Sequence, residues 1–207
     1  YVLTCLEFWD EALKKTRFIR SAAKGAALCI ACERTRAWLM KLEWGLPALP
    51  VVIPNKFEDH PRTPQMRGSS EESRRAIAKI EGKQVVLYQG WLQPDRGLEE
   101  IADALSLLDE DLWLAVLSPE TSECRDAMSI LADRYPKTVY LGYVPSPLHL
   151  EVTSHALIGI ARYEPASINN AFCAPNKIYE YAGFGIPMLC NDIPGLVETV
   201  GCAGAGL

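Results

Sequence analysis

The sequence predicts an α/β protein built on parallel sheets. Apolar runs of strand length alternate with amphipathic stretches of helix length, and in the second half of the chain each strand is followed by a helix, which is the pattern of a parallel sheet. Among its 207 residues, 49% are hydrophobic, ample for a globular core. No apolar run reaches eighteen residues, since Ala22 to Ala31 is broken by Lys24 and Gly25, so nothing reads as a membrane span and the composition is that of a soluble protein.

Taken in order, Tyr1 to Leu6 reads as a strand, followed by Glu7-Phe8-Trp9-Asp10. A helix runs from about Glu11 to Lys24 and closes at Gly25. Ala26 to Ala31 is a short buried strand. Glu33 to Trp44 carries Trp38, Leu39 and Leu42 at helical spacing before Gly45-Leu46-Pro47 ends it, and Val51-Val52-Ile53 is a third strand stopped by Pro54-Asn55. From 55 to 83 the composition shifts to Pro61, Pro64, Gly68, Ser69, Ser70 and many charges, with only Arg74 to Ile80 helical. This reads as a linker between domains at 1–54 and 84–207.

The second domain opens with the strand Gln84 to Gln89, the loop Gly90 to Gly97, and a helix with Leu98, Ile101, Ala102, Leu105 and Leu108 on one face. Strands follow at Trp113–Leu117, Thr138–Leu141, Ala156–Ala161 and Pro187–Cys190, with helices at Ser122–Arg134, Pro147–Ser154, Pro175–Phe184 and about Gly195–Val200. With right-handed crossovers, all strand carboxyl ends share one edge, where open α/β sheets bind ligands. The loops Gly90–Arg96, Ser118-Pro119, Gly142–Val144, Arg162–Ala174 and Asn191–Gly195 are therefore expected to converge there.

A net charge of −5 and a pI near 5.3 argue against a broad nucleic-acid surface. Lys14, Lys15, Arg17, Arg20 and Lys24 form one basic helical cluster, read as a solvated face with a membrane or partner patch as the alternative. Seven scattered cysteines suggest reduced thiols in a cytosolic setting. Cys29-Ile30-Ala31-Cys32 has redox-motif spacing but sits in an apolar strand, which favours buried structural thiols. His60, His149 and His155 are too dispersed to suggest a metal site, and no clustered Asp-x-Asp is present.

Two stretches carry candidate chemistry. In Ala174 to Pro187, Pro175 suits a first helical turn and Gly185 with Pro187 stops the helix. Asn176, Lys177 and Glu180 then share a face near its N-terminus, where a carboxylate accepts paired hydroxyls and free N–H groups attract anions. The alternative is a surface ion pair of Lys177 with Glu180. In the Gly90–Gly97 loop, backbone N–H groups can meet a phosphate and Arg96 can grip it with its planar fork. Arg162 to Ala174 is the most irregular stretch, either exposed and mobile or a donor-contacting lid.

The Pro175–Pro187 stretch resembles the nucleotide-binding segment of retaining glycosyltransferases of family four, Pro-Asn-Lys-x-x-Glu-Tyr-x-x-x-Gly-x-Pro. That resemblance implies two Rossmann-like domains of the GT-B type, with this chain carrying the end of the acceptor-side domain and a C-terminal donor domain truncated at its end. Glu180 matches the glutamate that binds the donor's ribose hydroxyls. The Gly90–Gly97 loop is similar to the family's Gly-Arg-x-x-x-x-Lys-Gly diphosphate site, with Arg96 at the lysine position. Trp91 stands at the arginine position, removing one cation; it either covers the sugar or packs inward. Phe172 replaces the first glutamate of the family's Glu-x(7)-Glu pair, leaving polar sugar contacts to Glu164, Asn169 or Asn170.

The function so implied is sugar transfer from a nucleotide-diphosphate-sugar donor to a glycan, polysaccharide or lipid-linked acceptor, without metal or cofactor. The setting is cytoplasmic, with peripheral association at the inner membrane face through N-terminal segments outside this chain. Catalytic residues are expected in those segments. The chain, starting at Tyr1 without methionine, reads as a fragment expected to bind nucleotide without transferring sugar. A GT-B nucleotide-sugar epimerase and a non-catalytic nucleotide-sugar-binding or scaffold domain are the rival readings.

Overall fold

The structure, a computed structural model, describes residues 1–5, 14–93 and 96–206, and in the first helix describes side chains from residue 17 onward. Leu6 of the first predicted strand, Glu7 with Phe8, Trp9 and Asp10, the Glu11 start of the first predicted helix, the Lys14 and Lys15 side chains, and Pro94 and Asp95 of the candidate phosphate loop lie outside the described residues.

In chain order the elements begin with β1 (Val2–Cys5), α1 (Lys14–Gly25), β2 (Leu28–Ala31), α2 (Arg34–Trp44), β3 (Val51–Val52) and α3 (Glu71–Ile80). Then come β4 (Gln84–Gln89), α4 (Leu98–Ser106), β5 (Leu112–Leu117), α5 (Ser122–Arg134), β6 (Thr138–Gly142), α6 (His149–Thr153) and β7 (Ile158–Ala161). The chain closes with α7 (Ile168–Ala171), α8 (Asn176–Gly183), β8 (Met188–Cys190) and α9 (Pro194–Leu196), which runs into a π-helical turn at Val197–Gly201. The described residues divide into two units: Tyr1–Lys56 with Glu164–Asn176 and Asp192–Ala203, and Phe57–Tyr163 with Lys177–Asn191 and Gly204–Leu207.

In the first unit, β1, β2 and β3 form a parallel sheet in that order. Leu3 opposite Cys29 and Cys5 opposite Ala31 pack with Ala23, Ala37, Met40 and Trp44, so the core lies on one face. Val2, Leu28 and Val51 take the alternate positions and are 56%, 40% and 45% exposed. Burial pushes the thiols of Cys29 and Cys32 up, and that of Cys5, beside them, to about 11. Neither cysteine of the redox-like spacing is thus an activated nucleophile.

Glu33 caps α2 by accepting the N–H groups of Thr35 and Arg36, and this fixes the start of the helix that presents Arg36. The Arg36 guanidinium is buried and donates to two main-chain oxygens, from Nε to Phe172 at 2.6 Å and from Nη2 to Asn169 at 2.8 Å. Those carbonyls close α7, where a cation meets the negative end of the helix. The stretch 162–174, expected to be irregular, therefore contains a helical turn capped by Ser167.

The second unit holds a five-stranded sheet in the order β6-β5-β4-β7-β8, all parallel. From central β4 the chain builds outward through β5 and β6, then returns to lay β7 and β8 on the other side. The order thus reverses between β4 and β7. Val86, Tyr88, Leu114, Val116 and Ile160 pack with Leu98 and Ile101 of α4 and Cys124 and Leu131 of α5. Tyr181 of α8 lies against β7, where a Cβ on Gly159 would stand 2.4 Å from its ring. Its hydroxyl donates to the Leu87 carbonyl at 2.9 Å, and burial holds that phenol neutral by pushing its pKa far up. Among the described residues no helix is long and apolar enough to cross a membrane.

Despite its linker composition, the segment from His60 to Ser70 is fastened to this unit. Gln65 N–H donates to the Ser154 carbonyl at 3.0 Å, and Met66 N–H to the Ser154 hydroxyl at 2.9 Å. The buried Glu151 carboxylate accepts from Ser69 N–H at 2.9 Å and Ser69 Oγ at 2.6 Å. Burial pulls the Glu151 carboxyl up, but hydrogen bonds from Ser69 and Ser73 and the Arg74 charge outweigh it and hold it below the usual glutamate value.

Two outcomes are expected. With its folded pKa lowered, Glu151 contributes stability that is fully present above its unfolded value of roughly 4.3 and lost as pH falls through the folded value. Glu151→Gln should cost about 2 kcal/mol at neutral pH and flatten the acid limb of the thermal-melting profile; an unchanged profile would contradict the assignment. Arg36→Met should cost about 3 kcal/mol and speed amide exchange across 167–173 ahead of the rest of the unit.

Candidate functional site

The site begins with strand order. Side chains and loops at the carboxyl ends of β4 and β7 flank the reversal, which leaves a crevice between diverging crossovers. Gly90, directly after β4, has φ +111°, a conformation that L side chains rarely adopt, and its N–H donates to the Leu117 carbonyl at the end of β5 at 3.0 Å. Ser118 continues the link, its N–H donating to Gly142 O at 3.0 Å and its hydroxyl accepting from Leu92 N–H at 3.2 Å. On the other side Asn191, after β8, bonds both ways with the Tyr163 main chain at 3.1 and 2.9 Å. Within this unit the residues directly after the five parallel strands thus lie at one edge, whereas 164–174 and 192–195 of the loops expected there belong to the other unit.

Two cations meet there. Lys177, in the first turn of α8, is buried with its Nζ 4.1 Å from the centre of the Tyr88 ring and 5.3 Å from that of Tyr163. A Cβ on Gly90 would stand 3.6 Å from the same Nζ. The buried Arg96 guanidinium stacks 4.2 Å above the Tyr163 ring and donates to Gln93 Oε1 at 3.0 Å. Aromatic faces attract cations electrostatically, so the two rings help to hold both charges at this edge.

Glu180 lies one turn further along α8 and is buried as well, which sets aside the alternative of a solvent-facing ion pair with Lys177. Its Oε2 accepts from Gln89 Nε2, and its Oε1 lies 3.2 Å from His149 Nε2. Thr153 Oγ1 lies 2.6 Å from Gln89 Oε1 and 3.0 Å from the His149 carbonyl; its one proton on the shorter contact turns the amide N–H groups toward Glu180. His60 Nε2 sits 3.0 Å from the Glu180 carbonyl, with its ring edge-on to Phe184 at 4.3 Å.

The structure thus brings Gly90, Arg96, Lys177 and Glu180 onto one unit. Asn176 is exposed at the start of α8. Trp91 is 66% exposed, so it does not pack inward; its carbonyl accepts from the Tyr88 hydroxyl at 2.6 Å. Glu164, Asn169 and Asn170 belong to the other unit, half-buried, with Asn170 Nδ2 donating to the Glu164 carbonyl at 3.0 Å. Tyr88, Gln89, Thr153 and Tyr163 are not site candidates by sequence pattern, and His149 is set aside there only as a metal ligand. A polar Gln89 that is nonetheless buried at the end of β4 is the local feature that marks this site. Among the described residues no group of three or more His, Cys, Asp or Glu could hold a metal ion.

No protein-family model matches the chain, and no curated protein sequence matches it. Solved structures do. HepE of Anabaena, in complex with UDP-glucose, is 17% identical with a TM-score of 0.68 over 95% of this chain and 54% of its own. A glycosyltransferase from Rickettsia africae is 15% identical with a TM-score of 0.72 over 100% of this chain and 55% of its own. A putative UDP-N-acetylglucosamine 2-epimerase from Listeria monocytogenes is 13% identical with a TM-score of 0.53 over 100% of this chain and 53% of its own. The chain spans about half the length of the structures it matches. At such identities the likeness establishes the fold: parallel Rossmann-like sheets of three and five strands corresponding to half of a GT-B structure.

Proposed function

We propose that this chain carries the donor-binding part of a glycosyltransferase that uses a nucleotide-diphosphate sugar, with the nucleotide held at the carboxyl edge of the five-stranded sheet. The observation that carries this reading is the placement of Lys177 and Arg96 on the shared ring of Tyr163, beside a glycine turn at the strand-order reversal. A departing nucleoside diphosphate gains negative charge as the glycosidic bond breaks, and fixed cations at that point stabilise the change. The UDP-glucose in HepE supports a uridine nucleotide as the first choice. In this reading Glu180 accepts the ribose hydroxyls, no metal is needed, Trp91 stands open to a sugar, and transfer is retaining. The acceptor in this reading is a glycan or lipid-linked sugar.

The Listeria structure favours a second reading, a nucleotide-sugar epimerase built on the same fold. Both need the donor site; only transfer needs an acceptor.

Calorimetric titration with UDP, GDP and ADP tests the shared part. One nucleotide is expected to bind at a single site, with affinity falling by about tenfold or more in Lys177→Met and in Glu180→Ala, a loss of roughly 1.4 kcal/mol. Gly90→Ala should weaken binding too, since the methyl forces the turn out of its conformation beside the Lys177 ammonium. Absence of binding by the folded chain to all three nucleotides would sink the proposal.

A further inference from the structure

Glu180 is held from two sides, and the holding groups form a chain of their own. His149, on the first turn of α6, is nearly enclosed, with 14% of its side chain exposed against 7% for Glu180. Its Nε2 meets Glu180 Oε1 at 3.2 Å, the Phe57 ring lies tilted beside it with centroids 6.1 Å apart, and its buried Nδ1 has no hydrogen-bond partner among the described residues. The imidazole's polar contact is therefore directed at one carboxylate oxygen. The second oxygen takes the Gln89 amide, whose orientation is fixed by the Thr153 hydroxyl.

We propose that His149 is a positioning residue, which with Gln89 and Thr153 locks the rotation of the Glu180 carboxylate so that it accepts a vicinal diol. This rests on the reading of Glu180 as the acceptor of ribose hydroxyls. A carboxylate offers about four acceptor directions. Protein donors occupy one on each oxygen here, which leaves one on each for two adjacent hydroxyls. The torsion that turns a carboxylate is broad and two-fold, so nothing intrinsic to glutamate sets that plane. The Nε2 contact sets it, and the ligand chemistry it selects is a nucleoside diphosphate carrying both the 2′ and the 3′ hydroxyl.

The test compares UDP with 2′,3′-dideoxy-UDP on the wild type, His149→Leu, His149→Gln and Thr153→Val, each checked for folding by thermal melting. The wild type should prefer UDP by about tenfold or more. In His149→Leu that preference should collapse to within about twofold because UDP affinity falls while dideoxy-UDP affinity holds. Restored preference is expected in His149→Gln, which keeps a side-chain N–H donor. Thr153→Val, which releases the Gln89 amide, should lose part of the preference and decides the matter should His149→Leu not fold. An equal loss for both nucleotides in His149→Leu, or preference unchanged in both His149→Leu and Thr153→Val, overturns the positioning role. Equal binding of the two nucleotides by the wild type would overturn the ribose role of Glu180 and this inference with it, leaving nucleotide binding standing; no binding of either would remove the donor-site reading itself.

Discussion

A buried positive charge is the constraint around which the second unit is arranged. Lys177 brings an ammonium to a position where only 7% of the residue meets solvent, and such a charge is costly unless its surroundings stabilise it. The surroundings supply two aromatic faces, Tyr88 from the end of β4 and Tyr163 after β7, and a glycine whose missing side chain leaves room. Tyr88 and Gly90 come from β4 and the turn after it, Tyr163 from the turn after β7, and they meet because β4 and β7 are neighbours where the strand order reverses. Arg96 on the same Tyr163 ring concentrates positive charge further. In the proposed reading a diphosphate completes this arrangement.

Helix α8 joins this cationic corner to the anionic one. Lys177 and Glu180, three residues apart, are both buried but turn to different neighbours: tyrosine rings for the one, Gln89 and His149 for the other. The register of the helix is set by Tyr181, pinned over Gly159 and bonded to the Leu87 carbonyl, so packing of a single aromatic decides where two charged side chains arrive. His60 meets the Glu180 carbonyl from the segment of linker composition, which ties that segment to the same helix. The fold thus couples an apolar contact, a strap and two charges in one short element.

Much of this organisation was legible in the sequence. The strand Gln84–Gln89 and the helix Ser122–Arg134 occur where hydrophobic pattern and turn residues place them, because those signals are local. Spacing beside Pro175 places Lys177 and Glu180 on one face but leaves a surface ion pair equally open, and it is the resemblance of Pro175–Pro187 to the glycosyltransferase segment that marks them. Their partners carry no such mark: Gln89 and Glu180 are 91 residues apart, and Gln89 and Thr153 are 64 apart, so only the sheet order brings them together. Likewise the turn of α7 depends on Arg36 from far upstream, and no helical periodicity in four residues would reveal it. The helix expected at Gly195–Val200 is instead a short helical start and a π-helical turn, a difference in hydrogen-bond register that side-chain spacing does not encode.

The central claim is that the carboxyl edge of the five-stranded sheet binds a nucleotide diphosphate through Lys177 and Arg96. Amide chemical-shift mapping of the isotope-labelled chain during titration with UDP tests it most directly. Saturable shifts centred on Gly90, Arg96, Tyr163 and Lys177, and absent from the amino-terminal ends of β5 and β6, are the predicted result. Shifts centred elsewhere, or none at millimolar nucleotide with a folded chain, would contradict it.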